Sequence, residues 1–203
     1  WDDKKKIPKN KRSYNLNRIL NAVDYIVLSP GISLRNSENR GKLIKFKEKI
    51  ITDLDLIFLL KKFSKSIVVT GTNGKSTTCK IIEHLLIKNK YQTLLGGNIG
   101  TPILNLETKK NSLLIIEASS FQLAYSKFIK PDFALLLNIT NDHLDWHGNM
   151  KNYIDSKLKI FKYQKKNQHS IINRKLKLSF KKRNFLGKLT IPNIKEYLAL
   201  KFK

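Results

Sequence analysis

Residues 71–77 read Gly71-Thr72-Asn73-Gly74-Lys75-Ser76-Thr77 and directly follow an apolar, β-branched run at residues 67–69. A glycine-rich turn between a strand and a helix can cradle a polyphosphate. Backbone N–H groups wrap the anion, and the positive end of the helix dipole favours its charge. Lys75 would reach the terminal phosphates and Ser76 would ligate Mg²⁺. The spacing is shorter than the general pattern G-x-x-x-x-G-K-[ST], which would need a glycine where Val69 stands. The plain alternative is an ordinary glycine turn ahead of a helix.

Three further groups carry chemistry. Glu117 closes an apolar run and precedes Ala118-Ser119-Ser120-Phe121-Gln122-Leu123. A carboxylate at a strand tip facing a phosphate loop suits Mg²⁺, which takes one or two carboxylates together with phosphate and water. It is equally placed to be a helix N-terminal acid stabilised by the dipole. Asn141-Asp142-His143-Leu144-Asp145-Trp146-His147 packs two Asp and two His into six residues. There His143 is a candidate metal ligand, with Asp142 as a ligand or an orienting partner; the alternative is a polar loop with a capping Asp. Lys157 sits at the edge of a helical stripe of Met150, Ile154, Leu158 and Phe161. Either its ammonium snorkels to water, or burial lowers its pKa and leaves a neutral amine able to combine with CO₂ as a carbamate.

The elements that must position these groups alternate. Residues 24–28, 67–70, 92–95, 112–116 and 132–137 read as strands, with one more at 169–173. Residues 76–88 read as a helix, and helical spacing recurs over 150–161 and at Leu16, Ile19, Leu20 and Val23. Residues 42–63 hold a short strand and a helix, and Phe63-Ser64-Lys65-Ser66 reads as a hinge into the next unit. The strands are continuous apolar runs, as in a parallel sheet covered on both faces. The expected class is α/β, a mostly parallel sheet with helices on both faces. The polar clusters fall just past the strand ends, where open α/β sheets bind ligands.

Composition narrows the classes. The net charge is +25, but only six of the 40 basic residues are Arg, the residue that reads phosphate and guanine bidentately. The lysines are spread along the chain among many Asn and Ile, so no specific nucleic-acid partner is expected. No apolar run of about 18 residues predicts a membrane span. A single cysteine, Cys79, excludes an internal disulfide framework and fits a reducing, cytoplasmic setting.

Taken together, these residues resemble the Mur ligase family. The short loop Gly71–Thr77 is similar to that family's phosphate loop, which accounts for the spacing. Gly96-Gly97-Asn98-Ile99-Gly100, residues 117–123 and residues 138–145 resemble its branch that joins D-glutamate to UDP-N-acetylmuramoyl-L-alanine. The resemblance implies a P-loop-type ATP-binding central domain at residues 64–203, incomplete, preceded at residues 1–63 by the end of a Rossmann-like UDP-binding domain. The C-terminal ligase domain is expected to be missing, and the chain, which lacks an initiator Met, to be a fragment. It also implies a monomeric, ATP- and Mg²⁺-dependent amide ligase of peptidoglycan synthesis acting through an acyl phosphate.

Carried over by position, Lys75, His143 and Lys157 would be catalytic. Ser76 and Glu117 would serve one Mg²⁺, and His143 and the carbamate of Lys157 a second. Ser29 (in Ser29-Pro30-Gly31), Asn98, Ser119 and Gln122 would contact the UDP-linked substrate. Residues 187–193 resemble an adenine-contacting segment, reduced to Asn193. Trp146 departs from the family, standing where Arg is common, and Ala118 where Leu is common. The rival expectations are another Mur or folylpolyglutamate-type ligase, a basic nucleotide- or nucleic-acid-binding protein without ligase chemistry, and an inactive nucleotide-binding remnant.

Overall fold

The computed structural model describes residues 16–35, 37 and 40–192. Six parallel strands form one sheet in the order β4-β5-β3-β6-β7-β8. They are β3 (Lys65–Thr70), β4 (Thr93–Gly97), β5 (Leu113–Glu117), β6 (Phe133–Leu136), β7 (His169–Ile172) and β8 (Lys188–Thr190). The chain leaves β3 through α4 (Lys75–Lys88) toward β4, and returns from β5 through α5 (Ser120–Tyr125) to β6 on the other side of β3. The carboxyl end of β3 is therefore the point where the winding reverses, the usual place for a ligand crevice.

Alternate residues of each strand face opposite sides. Val68, Leu114, Ile116, Ala134 and Leu136 join one core, with Leu158, Ile160 and Phe161 of α7 (Met150–Lys162). Val69 and Ile115 face the other way and pack with Cys79 of α4 and with Leu95. Both faces are covered, which is why the strands read as unbroken apolar runs. Asp132, just ahead of β6, accepts from the N–H and hydroxyl of Ser66 and ties the starts of β3 and β6 together. Ser66 is buried, and Lys65 and Ser66 belong to β3 rather than to a hinge.

A smaller unit precedes the sheet. It holds α1 (Leu16–Ala22), β1 (Ile26–Val27), α2 (Arg40–Lys45) and β2 (Ile50–Ile51), with β1 and β2 paired in parallel. Leu20, Leu28, Leu43 and Ile50 form its separate core. The next helix, α3 (Asp53–Leu60), sends Leu54 and Ile57 into the core of the large sheet. Packing therefore places α3 with the sheet, ahead of the boundary expected at residue 64. After β7 the chain forms α8 (Lys177–Lys181) and then β8, neither of which the weakly patterned sequence announced.

Two buried polar groups hold the helices in register. Asp55, with no exposed surface, accepts through Oδ1 from Ser126 Oγ and from the N–H groups of Lys127 and Phe128, and through Oδ2 from Thr52 N–H. It pins α3 to the segment after α5. His147, at the end of α6 (Leu144–His147), lies between the Ser120 hydroxyl at 3.0 Å and the Ser156 hydroxyl at 3.4 Å, bridging α5 and α7. Burial first, and then the charge of Lys157, lower its pKa from 6.5 to about 4.

Asp55→Ala leaves four donors without their acceptor and should lower unfolding free energy by about 3 kcal/mol, read from urea titrations. The His147 effect has a defined sign. Below pH 6.5 the unfolded chain takes up a proton there that the folded chain refuses, so acid favours unfolding. Between pH 7 and 5 this one group should cost about 2 kcal/mol of stability. His147→Gln should flatten the stability profile over that interval by the same amount; an unchanged slope would refute the assignment.

Candidate active site

The loop after β3 is braced from the neighbouring strand. Asn138, two residues past β6, accepts at Oδ1 from the N–H groups of Thr72 (3.1 Å) and Asn73 (2.9 Å) and donates from Nδ2 to the Asn73 carbonyl (3.0 Å). Those two N–H groups are thus already used. The donors left for an anion are those of the first turn of α4, where a helix has no internal acceptors. Gly74 caps this helix with φ of 82°, a conformation that costs a residue with a Cβ. Lys75 Nζ turns back onto the carbonyls of Gly71 (3.0 Å) and Thr72 (2.8 Å).

Glu117 stands beside this loop because β5 pairs with β3 in a register that matches Glu117 to Val69. The carboxylate is 1% exposed and held on both oxygens: Ser76 Oγ donates to Oε2 at 2.8 Å and Asn98 Nδ2 to Oε1 at 3.0 Å. Asn98 reaches it because β4 runs alongside β5, and Gly97 allows the approach: a Cβ there would sit 2.4 Å from the Glu117 carbonyl oxygen.

A cavity of about 240 Å³ opens over these strand ends, lined by Gly71, Lys75, Asn98, Ser119, Ser120 and Phe121, and by Asp142, His143, Tyr153 and Lys157. Lys157, only 2% exposed, donates to the Gly71 carbonyl at 2.8 Å and lies 4.7 Å from the centre of the Tyr153 ring. Burial, and then the nearby Lys75 ammonium, lower its pKa from 10.5 to about 7. Snorkelling is thereby overturned: the amine points inward, where burial favours its neutral form. His143 Nε2 lies 3.2 Å from Asp142, and the residue has φ of 51°, an unusual backbone state for a side chain facing a cavity.

The donor chemistry fits Mg²⁺ in part. Among the described residues no group of three or more His, Cys, Asp or Glu is arranged to hold a metal. A carboxylate beside a hydroxyl at a phosphate loop does suit Mg²⁺, which retains water and phosphate oxygens. The second set needs Lys157 as a carbamate, since an ammonium repels a cation.

The remaining expected residues fall in different places. Ser119 lines the cavity, but its hydroxyl caps α5 by accepting from the Gln122 N–H. Gln122 does not line it: Oε1 accepts from Ser119, and Nε2 donates to the Asp53 carboxylate. Ser29 is exposed and also outside the lining. Thr77 is exposed on the outer side of α4, and Asn193 lies outside the described residues. Asn138 and Tyr153 are the site residues that sequence reasoning passed over. Asn138 was visible as the first polar residue after an apolar strand, and Tyr153 as the residue one helical turn before Lys157. A larger cavity of about 790 Å³ borders the loop through Leu137, and is lined further by Leu135, Ile171, Asn173, Arg174, Lys177 and Pro192.

Glu117 and Ser76 stand outside the lining of the smaller cavity over the strand ends and reach it through Asn98 and the phosphate loop; a lysine-bearing loop and a helix start with a carboxylate beside them can bind and polarise a phosphoryl group. Residues 69–196 match the family model of the Mur ligase middle domain. A UDP-N-acetylmuramoylalanine–D-glutamate ligase of Rickettsia bellii is 45% identical over 152 residues, covering 74% of this chain and 33% of that protein. The ligase of the same name from Francisella tularensis is 40% identical over 150 residues, 73% and 36% of the two chains. The chain thus spans about a third of the length of these curated relatives.

Among solved structures, a MurF ligase from Thermotoga maritima in complex with ADP superposes with a TM-score of 0.53 at 20% identity, over 85% of this chain and 50% of that one. The UDP-N-acetylmuramate:L-alanyl-gamma-D-glutamyl-meso-diaminopimelate ligase from Neisseria meningitides gives 0.56 at 16%, over 86% and 60%. At these identities the structures speak for the fold, while the family model spans well over half of the sequence. The chain belongs to the Mur ligase family, and residues 69–196 are its middle domain.

Proposed function

We propose that this chain is the phosphate-transfer core of an ATP-dependent amide ligase that joins D-glutamate to UDP-N-acetylmuramoyl-L-alanine. The observation that carries the reading is the convergence of Lys75, Ser76, Glu117 and Lys157 on the carboxyl end of β3, in a chain 40–46% identical to relatives named for that reaction. In this reading a substrate carboxylate oxygen attacks the γ-phosphorus of ATP and the bond to ADP breaks. The amine nitrogen of D-glutamate then attacks the acyl carbon, and phosphate leaves. Lys75, released from the loop carbonyls, follows the transferring phosphoryl group, and the start of α4 holds the phosphates that stay with ADP. The larger cavity beside Leu137 is assigned to the purine, close to the segment at residues 187–193.

Ser76 and Glu117 would hold one Mg²⁺, and His143 with carbamylated Lys157 a second; when bound, the metal offsets phosphate charge. Asn98 fixes the Glu117 carboxylate and so orders that site. The Lys157 carbamate forms when the neutral amine attacks the carbon of CO₂, one C=O electron pair moves to oxygen, and the nitrogen gives up a proton to water. A pKa of about 7 makes the reactive form abundant without a separate base.

The direct assay is phosphate release by the full-length product of the gene that encodes this chain. Release should require ATP, UDP-N-acetylmuramoyl-L-alanine and D-glutamate together. Lys75→Ala should reduce kcat/KM about a thousandfold. A correctly folded full-length protein that releases no phosphate with all three substrates would eliminate the ligase reading.

Lys157→Ala should lose activity and regain part of it with added short carboxylic acids. The initial rate of ¹³CO₂ uptake at Lys157, followed by NMR, should fall about fivefold from pH 7 to 6 and about tenfold per unit below that, because only the unprotonated amine reacts. Full activity in Lys157→Ala would remove the carbamate role.

A further inference from the structure

Tyr153 is the least exposed aromatic side chain at the site, with no accessible surface, and it touches both halves of the machinery. Its hydroxyl lies 2.9 Å from Thr72 Oγ1 in the phosphate loop. Its ring faces Lys157 Nζ at 4.7 Å, one helical turn further along α7, and meets His147 edge-on at 5.2 Å.

The bonding of Thr72 gives this contact a direction. Thr72 Oγ1 accepts from Thr140 N–H at 3.0 Å and donates to the Thr140 carbonyl at 3.3 Å. A hydroxyl has one proton and two acceptor positions. With the proton committed to Thr140, the remaining position takes the Tyr153 O–H. The Thr72 hydroxyl then has all its hydrogen-bonding positions filled from within the protein. Its work is to fix the backbone of the loop, whose Gly71 carbonyl receives both Lys75 and Lys157.

We propose that Tyr153 is a positioning residue that locks the phosphate loop through its hydroxyl and aims the Lys157 amine with its ring. This inference rests on the nucleotide and carbamate assignments above. The two functions reside in different atoms of one side chain, so they separate by substitution. Tyr153→Phe deletes the lock and keeps the ring, whereas Tyr153→Leu deletes both.

The test uses the full-length gene product, with ADP affinity measured by calorimetry and carbamate by ¹³C NMR in ¹³C-bicarbonate. Tyr153→Phe should weaken ADP binding about fivefold, the worth of one hydrogen bond, and retain the carbamate signal. In a Thr72→Val background the same change should have no further effect, since its partner is already gone. Tyr153→Leu should weaken ADP similarly and lose most of the carbamate signal. Circular dichroism melts identify a variant that does not fold; should Tyr153→Leu be one, Tyr153→Met replaces it for the aiming role, and the Phe and Val cycle tests the lock. A general packing role would lower melting temperature without the split between the two readouts.

The loop lock is overturned if Tyr153→Phe binds ADP like wild type, or weakens it equally with and without Thr72→Val. The aiming role is overturned by a full carbamate signal in Tyr153→Leu. Wild-type protein that binds no ADP removes the nucleotide-site reading itself, and wild-type protein without a carbamate signal removes the lysine assignment; either result takes the dependent half of this inference with it.

Discussion

The Gly71 carbonyl oxygen accepts from two lysines that arrive from opposite faces of the sheet, Lys75 from α4 and Lys157 from α7. Burial disfavours the charged form of Lys157, and the Lys75 ammonium on the same acceptor adds repulsion. The strain is relieved by weakening the charge on Lys157, whose pKa falls to about 7. Everything else at the site follows from holding that carbonyl in place. Asn138 braces the loop from β6, Tyr153 from α7, and Glu117 stands opposite on β5. An anion delivered to the loop would draw Lys75 away and remove the repulsion. The loop is thus internally bonded in a way that a polyphosphate is suited to replace.

The same logic of buried, fully bonded polar groups runs outward from the site. Glu117 is bonded on both oxygens, Asp55 on both, and His147 meets a hydroxyl on each ring nitrogen. Such groups stabilise only while every partner is present. They therefore fix the positions of α3, α5, α6 and α7 relative to the strand ends far more narrowly than apolar contact does. Asp53 is only partly buried: desolvation raises its pKa while Gln122 donates to it, and this links α3 to the capped start of α5 beside the cavity.

Much of this was legible in the chain. The apolar runs located β3 to β7, and the glycine turn ahead of Lys75 marked the phosphate loop, because a strand, a turn with φ above zero and a helix impose local residue choices. Glu117, His143 and Lys157 were identified as candidates by their positions at strand ends or on one helical stripe. What was misjudged had no local signature. Lys65 and Ser66 read as a polar hinge, yet Ser66 is a buried strand residue satisfied by Asp132, sixty-six positions away. The short edge strand β8 carries only three residues, too few for periodicity to register.

The sequence by itself determined which residue types stand at the ends of which elements, since periodicity and turn chemistry act over a few residues. It left two readings open for Glu117 and for Lys157. The tertiary structure shows what each of these side chains meets. Strand order brought the β5 tip beside the β3 loop, so Glu117 meets Ser76 and not merely a helix N-terminus. Packing of α7 on the sheet carried Lys157 inward to Gly71 and away from water, and that burial lowers its pKa far below that of a surface lysine. Charge state depends on solvation, and solvation is a property of the packed molecule that no stretch of chain possesses alone.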